Sequence, residues 1–174
     1  MMKNSVRSYS SSLRQRGISM VEALVALVVM SVGMLGIAGL SVASLRGNRT
    51  ALIRTEAVNF VNDMSDRIRA NGSARDAYGL AAANGNCTTV NCTATQLAQD
   101  DLFRWLQAVT AAGTGLPGTN VSGTVVYTAG AATGLPDQYT ISVQWTEPGD
   151  VDPITGVDRV SSYTSNLLLI PAGP

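Results

Sequence analysis

The sequence contains no histidine, and this absence narrows the functions that the chain can have. Histidine is the commonest general base, the commonest metal ligand and the usual pH switch near neutrality. Without it, no serine or cysteine of this chain has the base partner that nucleophilic catalysis requires. Asp100 and Asp101, which are adjacent, would point to different sides of a helix and could not act as a paired acid and base. We therefore expect a protein that is not an enzyme and needs no cofactor.

Positive charge is scarce outside the N-terminus. Lys3, Arg7, Arg14 and Arg16 precede the first acidic residue, and no acid occurs within residues 1–17. The whole chain has a net charge of zero, so the remainder is acidic, with a net charge of −4. Because phosphate contact needs clustered lysine and arginine, we expect no nucleic-acid binding.

A long uncharged run follows the basic N-terminus. Residues 23–40 carry no charge and are numerous enough to span a membrane as a helix. Glu22 stands directly before this run, where a carboxylate is costly unless something compensates its charge. A cleaved secretory signal ending at residues 41–43 would need an unusually long n-region that ends in an acid. A plain signal anchor would leave Glu22 unexplained.

The stretch GISMVE, residues 17–22, resembles the processing site of type IV pilins. The resemblance implies a basic leader that is cut after Gly17 and a new first residue, Ile18, that is N-methylated. A prepilin peptidase/N-methyltransferase would be the partner in both steps. Glu22 is then the fifth mature residue, as in that family. The chain departs from the family pattern at Ile18, where phenylalanine is usual.

Cleavage after Gly17 supplies a physical reason for Glu22. It creates a positive α-amine on Ile18, four residues before the carboxylate, and residues at this spacing share one face of a helix. The amine of the same subunit or of a neighbouring subunit could therefore pair with Glu22 and fix the axial register during assembly. The alternative is that Glu22 reaches toward the cytoplasmic headgroups.

Residues 45–71 predict an amphipathic continuation of the apolar helix. Apolar residues recur at steps of three, four and seven between charged ones, at Leu45, Leu52, Ile53, Ala57, Phe60, Val61, Met64 and Ile68. Asn71-Gly72, a pair that tolerates left-handed backbone, predicts the end of the helix. A helix from residue 18 to residue 70 would be roughly 80 Å long. We expect its second half to pack against a globular head.

Cys87 and Cys92 enclose four residues in the predicted head. Beyond the membrane, in an oxidising compartment, a disulfide is the expected state of such a pair. Metal binding would want more ligands, and a redox motif would want two intervening residues.

The rest of the head predicts one helix and then strands. Thr93 and Gln96 form a capping box that begins a second helix, whose apolar positions are Leu97, Ala98, Leu102, Trp105, Leu106 and Val109. The period then changes to two in residues 123–128 and 138–147, and a last strand is expected around 163–170, after a loop at 148–158. The expected fold class is α+β: a type IV pilin fold, with a long N-terminal helix packed on a small antiparallel sheet and one additional helix.

The segment SVGMLGIAGL, residues 31–40, resembles the family labelled type IV pilus modification protein PilV. Its glycines at 33, 36 and 39 indicate either close helix–helix approach or only the frequency of glycine in membrane helices. In the head, the order of the cysteine pair, DLFRWL, a Leu-Pro-Gly turn and YTISVQW resembles the same family.

Three aspartates near the C-terminus are weak candidates for a metal site. Asp150, Asp152 and Asp158 resemble the start of a calcium-binding loop. The glycine falls at the seventh place rather than the sixth, however, and no glutamate follows at the twelfth. An acidic hairpin loop is the favoured interpretation.

Together these features predict a minor, PilV-like type IV pilin that supports pilus assembly, motility or adhesion. We expect a cleaved leader at 1–17, a membrane and filament-core helix at 18–44, its amphipathic continuation at 45–71 and a periplasmic head at 72–174. The protein would span the bacterial inner membrane once and then enter the pilus, packing against other minor and major pilins. The alternatives are a minor pseudopilin of a type II secretion system and a signal-anchored periplasmic binding domain.

Overall fold

The computed structural model describes residue 17 and residues 19–82, 87, 91–132 and 134–170. Helix α1 spans Met20–Ala70, a 3₁₀ segment spans Gly72–Gly79, and helix α2 spans Ala94–Thr110. Strands β1 (Ser122–Thr128), β2 (Asp137–Val151) and β3 (Asp158–Leu169) follow. The chain divides into two compact units, residues 1–45 and 46–174. The long helix, the additional helix and the small antiparallel sheet are those of the α+β pilin fold that the sequence predicts.

The described part of the first unit is the N-terminal stretch of α1, and its apolar side chains are exposed. Met20, Leu35 and Leu40 each expose about three quarters or more of their surface. By length and composition this is a helix that could cross a membrane. None of the described residues of this unit packs over it, so its helical form rests on its own backbone hydrogen bonds.

In the second unit, one face of α1 supplies much of the core. Ala57, Val61, Met64 and Ile68 are fully buried. Leu52 is 71% exposed, although the apolar pattern groups it with these residues. At about 100° per residue it lies on the side of the helix opposite Val61, nine positions away. Leu45, in the first unit, is exposed as well. The predicted amphipathic face is therefore correct from Ile53 onward and wrong for these two leucines.

The end of α1 falls where the sequence predicts, but the backbone there differs. Asn71 has a φ of −119° and is not left-handed. Its side chain instead donates hydrogen bonds to the Ala94 carbonyl (2.8 Å) and the Tyr78 hydroxyl (3.3 Å). The left-handed residue is Arg75, with a φ of 41°. Tertiary contacts rather than a glycine turn the chain away from the helix.

Strand β2 lies at the centre of a three-stranded antiparallel sheet with the order β1-β2-β3. Its alternation is confirmed, because Tyr139, Ile141, Val143 and Trp145 are all buried on one side, here called the inner face. Ser142 lies on the opposite, outer face, where its hydroxyl is 3.0 Å from that of Thr164 on β3. The inner face packs into the same core as α1 and α2.

The predicted loop at 148–158 is shorter in the structure. Strand β2 continues to Val151, which pairs with Asp158 after a register shift that follows Thr146. Pro148 and Gly149 are tolerated in the strand because they fall within this irregularity, where the regular ladder of hydrogen bonds is interrupted. The turn itself is closed by hydrogen bonds from the Asp152 N–H to the Val157 carbonyl and from the Gly156 N–H to the Asp152 carbonyl.

Trp105 ties α2 to both α1 and the sheet. Its indole Nε1–H donates to the Phe60 carbonyl at 2.8 Å. Its ring covers Gly123 of β1 so closely that a Cβ on Gly123 would lie 2.6 Å from two ring atoms. The absence of a side chain at Gly123 is therefore what allows the indole to approach β1 this closely.

We expect Gly123→Ala to destabilise the head by about 1–3 kcal/mol, because the added methyl forces the indole out of its packing position. The matched control is Gly47→Ala, where the same methyl meets nothing within 4 Å on a helix. That variant should be neutral or stabilising by up to about 1 kcal/mol. Thermal unfolding of the full chain in detergent, followed by near-ultraviolet circular dichroism, measures both. Equal melting temperatures for the two variants would contradict the packing described.

Candidate functional site

The N-terminus of α1 carries the residues predicted to be processed. Gly17 is exposed, and Ile18 lies outside the described residues. The Ser19 carbonyl accepts the Ala23 N–H at 3.1 Å, which places Glu22 in the first turn of the helix. A carboxylate is favourable there, because the first N–H groups of a helix form its positive end. Within the described residues Glu22 forms no salt bridge, so its predicted partner, the Ile18 amine, stays a prediction.

The next turns of α1 form an uninterrupted apolar surface. None of the 18-residue window that could span a membrane is buried within the structure. Glu22 is its only neighbouring charge until Arg46. A contiguous exposed apolar surface of this extent requires a lipid or protein partner. It can serve to anchor the chain and to pack against other helices, with one carboxylate available to set the register.

Three arginines follow this surface at the start of the second unit. Arg46, Arg49 and Arg54 line a groove of about 570 Å³ together with Glu147 and Asp150 of β2. Arg54 donates to the Glu147 carboxylate at 3.4 Å, and only 5% of the Glu147 side chain is exposed. Arg54 thereby compensates an acid that the fold buries.

Arg75 and Asp137 form a bidentate ion pair in the head. The guanidinium donates to both carboxylate oxygens, at 2.8 and 3.0 Å, and the Asp137 side chain is 2% exposed. The Gly130 N–H donates a further bond at 3.0 Å. The hydrogen bonds from Arg75 and, to a smaller extent, from this backbone N–H lower the pKa of Asp137 below its ordinary value of 3.8. The Tyr139 hydroxyl donates to the Arg75 carbonyl, so the left-handed Arg75 is held from both its backbone and its side chain.

A second polar network joins α1, the 3₁₀ segment and α2. The Tyr78 hydroxyl donates to a carboxylate oxygen of Asp101 at 2.9 Å, and Arg67 donates to the other at 3.1 Å. Burial raises the pKa of Tyr78, so this hydroxyl remains a donor throughout the physiological range. Asp100 instead pairs with Arg104 at 2.6 Å. The two adjacent aspartates therefore point to different partners, as predicted, and each is occupied in an ion pair.

A disulfide closes the loop between the two cysteines, and hydrogen bonds within the β2–β3 turn engage an aspartate of the acidic loop. Cys87 and Cys92 form a disulfide, with Cα atoms 5.7 Å apart. In the hairpin, the Asp152 carboxylate accepts the N–H groups of Ile154 and Thr155, which lowers its pKa.

The three candidate metal ligands are arranged as parts of the β2–β3 turn. Asp158 accepts the Gly149 N–H at 3.3 Å, and Asp152 lies 3.9 Å from Arg159. Asp150 lines the arginine groove instead. Among the residues that the structure describes, no three histidine, cysteine, aspartate or glutamate side chains are grouped so that they could hold a metal ion.

Sequence reasoning did not find the Arg75–Asp137 pair. The two residues are 62 positions apart, and a left-handed backbone at an arginine has no sequence signature. The alternation of β2 begins just after Asp137, which is the one available hint that this carboxylate would be carried into the sheet.

Two comparisons with known families match adjoining parts of the chain. Residues 12–38 match the prokaryotic N-terminal methylation motif, and residues 39–103 match the family described as type IV pilin Tt1218. No curated protein and no solved structure matches the chain. The matches support a type IV pilin-like structural component. The methylation motif implies processing by a prepilin peptidase and an assembly context, and with the apolar helix it fits membrane anchoring.

We expect Asp137→Asn to lower the melting temperature at neutral pH on the order of 5 °C, because it leaves Arg75 without its carboxylate. Since folding depresses the pKa of Asp137, its stabilisation is present above pH 3.8 and is lost as the pH falls through the lower folded pKa. The difference between wild type and variant should therefore shrink in acid.

Thermal unfolding between pH 7 and pH 2.5 measures this difference, with Asp66→Asn as the control. Asp66 pairs with Arg69 at 2.7 Å but is 74% exposed, so its loss should change the melting temperature little at any pH. A pH-independent difference for Asp137→Asn would contradict the assigned ion pair.

Proposed function

We propose that the chain is a minor type IV pilin of the PilV kind, a non-catalytic component that supports pilus assembly or pilus-dependent motility and adhesion. Residues 1–17 are its leader, 18–44 its membrane and filament-core helix, 45–71 the amphipathic continuation and 72–174 the periplasmic head. A prepilin peptidase removes the leader after Gly17 and methylates Ile18. The protein then leaves the inner membrane by packing its helix against those of other minor and major pilins.

The observation that carries the proposal is the exposed apolar helix with one carboxylate in its first turn. A globular protein would bury such a surface, and a simple anchor has no use for Glu22 at this depth. A helix that passes from lipid into a bundle of similar helices needs the apolar surface and the carboxylate together. The apolar surface is compatible with lipid and with the bundle, and the charge selects one register between the helices. The PilV assignment within the class depends on the motif order in the head. Neighbouring genes would distinguish it from a type II secretion pseudopilin.

We expect Gly17→Val to leave full-length protein in the membrane, because a branched side chain before the scissile bond obstructs the protease. The control is Gly33→Val, the same change inside the helix at a position with nothing within 4 Å of an added Cβ. That variant should be cleaved normally. Mass spectrometry of the protein in the membrane fraction distinguishes mature protein, which begins at a methylated Ile18, from uncleaved protein, which begins at Met1. Mature protein of normal mass from Gly17→Val would refute the prepilin assignment.

We expect Glu22→Gln to be inserted and cleaved but not incorporated into filaments. The amide keeps the shape of the side chain and removes the charge, so membrane insertion is unchanged or easier. During assembly, however, the Ile18 amine would have to be buried without its counter-charge. Quantitative immunoblots of membranes and of sheared pili, prepared separately, measure the two steps.

The control for this variant is Glu56→Gln, which removes an exposed carboxylate from the second half of the same helix. It should reach the pili in wild-type amounts. If Glu22→Gln does so too, the carboxylate is not an assembly contact, and an interaction with the lipid headgroups takes its place.

A further inference from the structure

The two edges of the sheet differ in how they are covered. The 3₁₀ segment and α2 both pack beside β1, and Gly79 comes so close that an added Cβ would be 2.8 Å from the Tyr127 Cβ. Strand β3 pairs only with β2 among the described strands, although its inner side chains, such as Leu167, reach the core. The outer edge of β3 therefore presents backbone N–H and C=O groups that pair with no other described strand.

The β3 edge also lacks the features that usually protect such strands. Residues 160–169, VSSYTSNLLL, contain no charge, no proline and no glycine. Their pairing with β2 is continuous from Val160 to Leu169, with no bulge to turn the edge aside. Natural edge strands are normally short, charged, bulged or covered, because otherwise they pair with other chains. A regular edge of ten uncharged residues is suited to accept another strand.

A groove beside β3 provides space for the side chains of an added strand. It has a volume of about 340 Å³ and is lined by Arg54 and Val58 of α1, Trp145 of β2 and residues 161–163 of β3. Ser161, Tyr163 and Ser165 lie on the inner face but are only partly buried, unlike their neighbours on β2. The inner layer of the sheet is thus incomplete at β3. The buried Nε1–H of Trp145 has no hydrogen-bond partner among the described residues.

We propose that β3 is a docking edge for a single extended segment of a different polypeptide, which pairs with the β3 backbone as a fourth strand. Alternate side chains of that segment enter the groove, where uncharged residues fit best, because Arg54 is already paired with Glu147 and the other lining residues are uncharged. A second copy of this chain fits less well, because it would bring a helix of about 10–12 Å diameter together with its strand. The inference goes beyond the proposed function, since it concerns a partner of the head.

Site-specific photocrosslinking of the full chain in its native cells tests the proposal. A benzoylphenylalanine replaces Thr164 on β3 or, as the matched control, Thr124 on β1. Both side chains are exposed on the outer face and lie in the same row, each paired with Ser142. We expect Thr164, but not Thr124, to yield a product with one other polypeptide. Products at multiples of the mass of this chain, or none, would overturn the proposal.

Backbone pairing is tested by two further measurements. In the purified covalent complex, the β3 amides that point away from β2 should exchange hydrogen at least about tenfold more slowly than in the chain alone. The exchange rates of the β1 amides should be unchanged. Ser161→Pro and Ser162→Pro remove successive N–H groups, and one of these points away from β2 because they alternate along a strand. The proline variant that loses the N–H pointing away from β2 should keep the wild-type melting temperature and lose the crosslink. A crosslink without slower exchange on β3, or one that survives this proline, would show a contact of another kind and refute strand addition.

Discussion

The rest of the structure depends on one helix, α1, whose first part exposes its apolar side chains and whose second part contributes to the core of the head. In the first unit α1 exposes almost only apolar side chains, and in the second unit the same helix buries a stripe that runs from Ala57 to Ile68. The change occurs near Leu45, where the chain divides into its two compact units. A helix meets both demands because its backbone hydrogen bonds are internal, so its side chains alone decide what it can contact. Glu22 and the arginines at 46, 49 and 54 mark the two ends of the apolar stretch.

The head holds its elements together by contacts between residues far apart in the chain. Trp105 bonds to α1 and covers Gly123 of β1, so one side chain fixes the position of α2 against two elements. Arg75 and Asp137 join the 3₁₀ segment to the start of β2. Their contact holds a backbone conformation that an arginine rarely adopts. These connections lie on the β1 side of the sheet, whereas no other described strand pairs with the edge of β3.

This asymmetry separates the two functions that we propose. Anchoring and helix packing would use the exposed surface of α1, which is long and apolar and carries one carboxylate, Glu22, at its start. Strand addition at β3 would use backbone groups and a small groove, which can discriminate among partners through their side chains. In the proposed filament, the head would therefore select a partner without altering the helix surface that all subunits must share.

The sequence alone determined the parts of the structure that follow from local periodicity. The apolar run, the buried face of α1 from Ile53 onward, the capping box at Thr93 and the alternation of β2 were all predictable, because each depends on residues a few positions apart. The methylation motif that residues 12–38 match was recognisable for the same reason. Only the tertiary structure decided which apolar residues stay exposed, as Leu52 does, and where the left-handed residue falls. It also brought Arg75 to Asp137 and left one edge of β3 unpaired among the described strands, because such contacts depend on how distant elements meet, which no local pattern encodes.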